Sequence, residues 1–324
     1  VTADALPTVS RTVRVTPSMC GDNNMFYARV GDWTWETVAD LCAVDVLRAQ
    51  GPDGRPTYLS FFYYRVRGSR LANVQVLAFG DVLDVASTSF GFGSEAVLTL
   101  HRIAVNPAGE PAALTLREFY EAPDPGCLYV ETMNRWVSRA GADSNEGLVL
   151  SSPPDFRYTQ LPLLPRRHSP QAACTAARKD CSFHANSLAG YDLVLPDIHQ
   201  VRPVDITRDI NGAGLVYFAS FFAYLDGAVL AAWSEIGRRP SDYQRRRVLD
   251  TRLCYFGNLD HHQSIHIAAR LWRSQVQPER ETVEVVLREA ETMRLLAVAS
   301  VDILVPTQPA ALPPRPAGDP HGCG

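Results

Sequence analysis

Lysine is almost missing from this 324-residue chain: Lys179 stands alone against thirty arginines. Basic residues are still outnumbered by acidic ones, 31 to 35, for a formal net charge of -4 and an isoelectric point near 6.1. That balance argues against a general nucleic-acid binder, whose affinity rests on neutralising phosphates. No uninterrupted apolar run reaches the roughly 18 residues of a membrane span, and no basic segment followed by an apolar one opens the chain. Neither secretion nor membrane insertion is expected. Cysteines are seven, an odd number at irregular spacings from Cys20 to Cys323, a pattern of reduced thiols in a cytoplasmic protein rather than a disulfide framework. Cys-x-x-Cys, His-Glu-x-x-His and phosphate-cradling glycine motifs are all missing, so no metal site is expected. What the chain has in quantity is apolar text, 46% of its residues, enough for one large core or two ordinary ones.

Two stretches repeat each other in outline. In the first, "RTVRVTPSM" reads as a strand, then a polar turn leads to "GDWTWETVADLC", where Asp32 or Thr34 can cap a helix with its stripe on Trp35, Val38 and Cys42. Strand-like text follows: "PTYLSFFYYRVRG", "GDVLDVASTSF" and "SEAVLTLHRIAV". In the second, "HQVRPVDI" leads through "TRDINGAG" to a helix striped by Leu215, Phe218, Phe222, Leu225 and Val229, and four strand candidates follow. The offset is roughly 180 to 190 residues, with boundaries good to a few positions. From about Ala122 to His199, prolines and polar residues interrupt every period, which reads as linker, crossover strand and surface loop. The expected organisation is a first unit over 1–150, a linker and crossover over 151–197, a second unit over 198–305 and a disordered Pro/Gly-rich tail over 306–324.

A helix wrapped by a curved antiparallel sheet must be apolar on most of its surface, because the sheet covers several faces at once. Its first amides then need partners. Asp209 and Asn211 can accept hydrogen bonds there, while Gly212 and Gly214 allow positive φ and close approach. Four N–H groups at a buried helix start can equally hold an anion or an oxyanion. The expected oxyanion groups are Asp32, Trp33 and Thr34 in the first unit and Asn211, Gly212 and Gly214 in the second.

Asp209, Gly212 and the aromatic run opening at Tyr217 resemble the strand-turn-helix entry of hot dog fold thioesterases, with Gly80 and Asp81 where those proteins turn between strands. Two such units resemble a double hot dog, an α+β fold in which each unit is a curved antiparallel sheet around a long central helix. More specifically, "GDWTWETV", "PTYLSFFYYRVRGSR", "FGDVLDV", "FGFGSEAVLTLHR", "DINGAGLVYF" and "YFGNLD" resemble the LnmK-like family of bifunctional acyltransferase/decarboxylases. The resemblance implies removal of CO₂ from (2R)-methylmalonyl-CoA and delivery of the propionyl group to the phosphopantetheine thiol of an acyl carrier protein, in polyketide biosynthesis. It implies no resident cofactor. Its partners are the carrier protein and the coenzyme A thioester, and it is compatible with a homodimer.

Loss of CO₂ from a malonyl thioester leaves an enolate, so the site must stabilise charge on the thioester oxygen, a donor being worth about 3 to 4 kcal/mol. It must also desolvate the carboxylate, for which Trp35 and Phe62, with Trp33, could line a pocket. The family places a functional tyrosine in the strand reading here "YLSFFYYRVRG", and Tyr63 and Tyr64 both qualify. Strict alternation puts Phe62, Tyr64 and Val66 on one face and Phe61, Tyr63, Arg65 and Arg67 on the other; the apolar face favours Tyr64. A phenol with a pKa near 10 is a poor nucleophile, which favours hydrogen-bond donation. Asn258 is expected to donate to the substrate carboxylate or thioester, whereas His261 and His262 read as surface residues. Arginine grips phosphate and carboxylate in forked geometry, so Arg65, Arg67, Arg70, Arg245 and Arg246 are the candidates for docking coenzyme A or carrier. The competing readings are a hot dog thioesterase using Asp209 or Glu36, and a non-catalytic module that binds an acylated carrier.

Overall fold

The structure is a computed structural model; it describes residues 6–21, 25–109, 112–141, 144–184 and 187–305. The expected tail over 306–324 lies outside the described residues. The chain runs β1 (Val9–Arg14), α1 (Phe26–Cys42), β2 (Tyr58–Arg67), β3 (Val82–Gly91), β4 (Ala96–Val105), α2 (Leu116–Tyr120), β5 (Cys127–Arg139) and β6 (Leu148–Leu150). It continues through α3 (Gln171–Asp180), β7 (Tyr191–Pro203), α4 (Ser220–Glu235), α5 (Pro240–Arg245), β8 (Arg247–Tyr255), β9 (Ser264–Ser274), β10 (Arg280–Glu289) and β11 (Leu295–Leu304).

The eleven strands of the described residues join one antiparallel sheet in the order β1-β3-β4-β5-β2-β8-β11-β10-β9-β7, with β6 on β5. The second five repeat the first five in reverse, and the seam is β2 on β8, where Arg65 faces Arg252 and Tyr64 faces Leu253. This is the double hot dog: α1 packs on β3, β4 and β1, and α4 on β9, β7 and β10. The two helices meet at the seam, with Tyr27 stacked on Phe222 at 3.9 Å. Gly31 of α1 leaves the room that the Phe218 ring occupies; a Cβ there would stand 2.3 Å from the ring. Among the described residues no helix is long and apolar enough to cross a membrane.

Three local expectations need correction. First, α1 starts at Phe26, not near Asp32 or Thr34. Gly31-Asp32 reads as a turn in isolation, but burial of Phe26, Tyr27 and Val30 and the packing of Phe218 on Gly31 carry the helix through it. Second, α4 starts at Ser220, so Leu215 and Phe218 precede it; Phe222, Leu225 and Val229 are buried in it as expected. Third, β5 is a 13-residue strand where interrupted linker text was expected. It lies between β4 and β2, buried on both faces, which removes the period-two alternation that marks a half-exposed strand. Its outer face is covered by α2, whose Phe119 packs with Cys127 and Tyr129, and by α3, whose Cys174 and Ala177 pack with Tyr63, Met133, Cys254 and Val298.

Candidate active site

In β2 the pairing with β5 shifts between Phe61 and Tyr63, so Phe62 is a bulge residue. One extra residue reverses the alternation across it. Phe61, Tyr64 and Val66 therefore share the helix-facing core, while Tyr63 and Phe62 lie on the outer face. Tyr64 keeps the apolar side expected for it, but Phe62 does not line its surroundings. Phe62 sits beneath the Arg135 guanidinium, 3.7 Å from the ring centroid.

Tyr64 is fully buried where α1, α4 and β2 converge, among Tyr27, Phe61, Phe218 and Phe222. Its hydroxyl donates to the Tyr27 carbonyl at 3.1 Å. Burial, with Tyr255, Tyr27, Tyr217 and Asp32 adding to it, holds the phenol well above its ordinary pKa. It is a neutral donor, not an oxyanion nucleophile. Tyr63 is raised likewise, by burial and then by Glu131.

The expected oxyanion groups are not at helix starts. Asp32, Trp33 and Thr34 are interior to α1, where the amides serve the helix itself. Asp32 is exposed beside Arg29; Thr34 Oγ donates to the Val30 carbonyl and meets His101 Nε2 at 2.9 Å. Trp33 is buried, and half-buried Trp35 donates its Nε1 to the Leu59 carbonyl. Asn211, Gly212 and Gly214 belong to a small hairpin ahead of α4, closed by an Ile210–Val216 bridge and by Tyr217 N on the Asp209 carbonyl. Asn211 Oδ1 accepts from the amides of Ala213 and Leu215, and Gly214 takes φ +72°. Arg139, Asn145 and Asn258 clamp this hairpin from outside. The glycines and polar residues before the apolar helix therefore build a locked turn. They do not cap α4, whose first three amides bond to the carbonyls of Tyr217, Phe218 and Ala219.

Asn258 is committed to that turn. Its Oδ1 accepts from Val216 N at 2.9 Å and Leu259 N at 2.8 Å, and its Nδ2 donates to the Val216 carbonyl at 3.0 Å. One Nδ2 hydrogen is left over, but the three bonds hold the side chain against the turn. Of the expected docking arginines, Arg65 chelates Asp250 through two bonds of 2.9 and 2.8 Å. Arg67 is stacked among Phe119, Tyr129 and Tyr120, and Arg246 is buried against Tyr243 and pairs with Asp226. These three hold the fold together, because a guanidinium in a sheet or under an aromatic ring is consumed by its local partners. Arg70 is exposed, near Glu279, and Arg245 pairs with Asp242. His261 and His262 are exposed in the loop before β9.

A cleft of about 540 Å³ runs along one face of α4, bounded by Tyr217, Ala219, Ser220, Tyr224, Gly227 and Leu230, and closed by the chain after β7. Asp209 lies in it. Both of that carboxylate's bonds fall on Oδ2, from the Tyr224 hydroxyl at 2.5 Å and from Asp205 N at 2.9 Å. Tyr217 borders the cleft, and its ring lies 4.7 Å from that of Phe218, which stacks on Tyr64 at 5.9 Å. A continuous aromatic path thus joins the cleft to the buried tyrosine.

A family model, the LnmK N-terminal Hot Dog Fold domain, matches residues 10–185, more than half the chain. This protein belongs to the LnmK hot dog family. A comparison with curated protein sequences gives no match. Among solved structures, a protein provisionally described as an oleoyl thioesterase from Lactobacillus plantarum superimposes with a TM-score of 0.60 at 11% identity, over 94% of this chain and 97% of that one. The 12:0-ACP thioesterase from Umbellularia californica gives 0.58 at 10% identity, over 92% and 94%. An acyl-ACP thioesterase from Bacteroides thetaiotaomicron gives 0.53 at 6%, over 91% and 97%. At such identities the likeness is one of fold.

Several cleft residues of this LnmK-family chain carry no sequence signal. Tyr224 could have been suspected as a polar tip inside an apolar helix. Nothing in the text marks Arg202 or Arg208, which reach the cleft only because β7 ends beside α4.

Proposed function

We propose that this LnmK-family protein is an enzyme acting on acyl thioesters that decarboxylates (2R)-methylmalonyl-CoA and passes the propionyl group to the phosphopantetheine thiol of an acyl carrier protein. The observation that carries the reading is Tyr64: in the family's strand, buried at the helix seam, neutral, and linked by aromatic contacts to the cleft along α4. In the reaction, the bond from Cα to the carboxylate breaks and its electron pair enters the thioester as an enolate. Tyr64, turning from the Tyr27 carbonyl, donates to that oxygen once the Phe218 and Tyr217 rings give way to substrate. The apolar surroundings favour loss of charge from the carboxylate. Water entering from the cleft protonates Cα to give propionyl-CoA; the carrier thiol then attacks its carbonyl, the bond to the coenzyme A sulfur breaks, and the carrier thiol's proton passes to the departing coenzyme A thiolate. None of these steps calls for a resident cofactor.

A thioesterase is the second reading, favoured by Asp209. With both bonds on Oδ2, its Oδ1 accepts none among the described residues and could orient a water in the cleft. Intact-mass spectrometry of phosphopantetheinylated carrier protein, after incubation with methylmalonyl-CoA, separates the two. A propionyl adduct that falls about 100-fold in rate with Tyr64→Phe supports decarboxylative transfer. Free methylmalonate or propionate with an unloaded carrier supports hydrolysis, and a methylmalonyl adduct refutes decarboxylation.

A further inference from the structure

The cleft along α4 contains charge that this chemistry does not use. Arg202, near the end of β7, lays its guanidinium across Gly227: a Cβ on that glycine would stand 2.9–3.0 Å from three of its atoms. Arg208 borders the same cleft from the loop after β7. Neither pairs with a carboxylate within 4 Å among the described residues. Of the acids nearby, Asp226 pairs with Arg246 and Asp209 holds Tyr224 through Oδ2, while Asp205 accepts from the Thr207 amide and hydroxyl and feels Arg208 only at longer range. Two exposed guanidiniums with no carboxylate within 4 Å, at a concave surface beside apolar Met25 and Leu230, suit an anion carried on an otherwise uncharged ligand.

Position decides which anion. Gly227 follows Ser220 by seven residues, about 10 Å along the helix axis. A malonyl carboxylate sits two bonds from the reacting carbonyl, so a thioester held at the head of α4 cannot place it there. A phosphate at the far end of a pantetheine arm can lie at that distance. We infer that Arg202, seated on Gly227 and assisted by Arg208, binds the phosphate of the pantetheine arm that coenzyme A and a carrier protein share. The inference rests on the thioester reading of the cleft. One subsite then serves donor and acceptor in turn, and the two arms compete for it.

The test is calorimetric titration of the full chain with 4′-phosphopantetheine, pantetheine and coenzyme A, in the wild type, Arg202→Met and Gly227→Ala. The wild type is expected to prefer the phosphorylated arm by about tenfold, the scale of one charge-assisted hydrogen bond, and Arg202→Met to lose that preference for both phosphorylated ligands. Gly227→Ala adds a methyl to which the flexible end of Arg202 must yield, while alanine favours the helix. Its phosphate preference should fall with the melting temperature unchanged or raised, an outcome that a folding defect would not produce. Equal wild-type affinity for the two arms, or an undiminished preference in both variants, overturns the inference; so does a loss confined to one phosphorylated ligand. Failure of the decarboxylation reading is seen separately, as a carrier that gains no propionyl group while the phosphate preference persists.

Discussion

Replacing Asn258 tests the division between residues that build the site and residues that act in it. Val216 occupies a non-hydrogen-bonded position of the 209–217 hairpin, because the closing bonds run from Asn211 to Leu215 and from Tyr217 to Asp209. Its own amide and carbonyl point away from the hairpin, and both are taken by the Asn258 side chain. Val216 and Leu259 are buried, so Asn258→Ala strands the Val216 amide and carbonyl and removes a partner from the Leu259 amide. At about 1–3 kcal/mol per orphaned buried group, discounted for water that can enter beside a loop, the loss is about 3 kcal/mol. Urea denaturation should show it as a lowered midpoint with little change in slope. Asn258→Asp should fare similarly, since it keeps the acceptor but sets a carboxylate oxygen against the Val216 carbonyl. Activity of the folded fraction should fall only as far as the hairpin loosens. A variant with wild-type denaturation and a turnover reduced about 100-fold would refute this reasoning and return Asn258 to direct contact with substrate.

Arg65→Met should cost about 3 kcal/mol of stability, the low end for a largely buried pair because both side chains keep some exposure, while leaving carrier-protein affinity unchanged; reduced carrier affinity without loss of stability would restore the docking role. Burial alone would raise the Asp250 pKa, but Arg65 and Arg252 overcome it and hold the carboxyl below its usual range. The stability it supplies is therefore present above the ordinary carboxylate pKa and lost as pH falls through the lowered one. His101 is buried between Ser87 and Thr34, and burial, reinforced by Arg11, lowers its pKa from 6.5 to about 3. Unfolded chain takes up that proton below about 6.5 and folded chain does not, so stability falls as pH drops from 6.5 towards 3. His101→Gln should flatten that part of the curve, measured as urea midpoints at two pH values; a dependence identical to wild type would show that His101 does not set it.

The duplicated order of strand, helix and antiparallel strands was legible in the text, because the two apolar helices and the β-branched runs carry strong local periods. So was the family, through segments such as "PTYLSFFYYRVRG" and "DINGAGLVYF". The sequence by itself also put Tyr64 on the more apolar face of its strand. Which neighbours share its face was a tertiary matter: the bulge at Phe62 exists only through pairing with β5, and one inserted residue turns the strand's facing over. Helix α1 begins before Gly31 because the Phe218 ring, nearly two hundred positions later, fills the space a side chain would occupy. Strand β5 hides in text that reads as linker because burial on both faces leaves no alternation to detect. The arginines divide on the same ground. Their chemistry is written in the sequence, but Asp250, the ring of Tyr243 and the empty face of Gly227 decide which guanidiniums are consumed by the fold and which remain for a ligand. Local periodicity is a property of neighbours along the chain; commitment of a polar group depends on partners that only folding brings within a few ångströms.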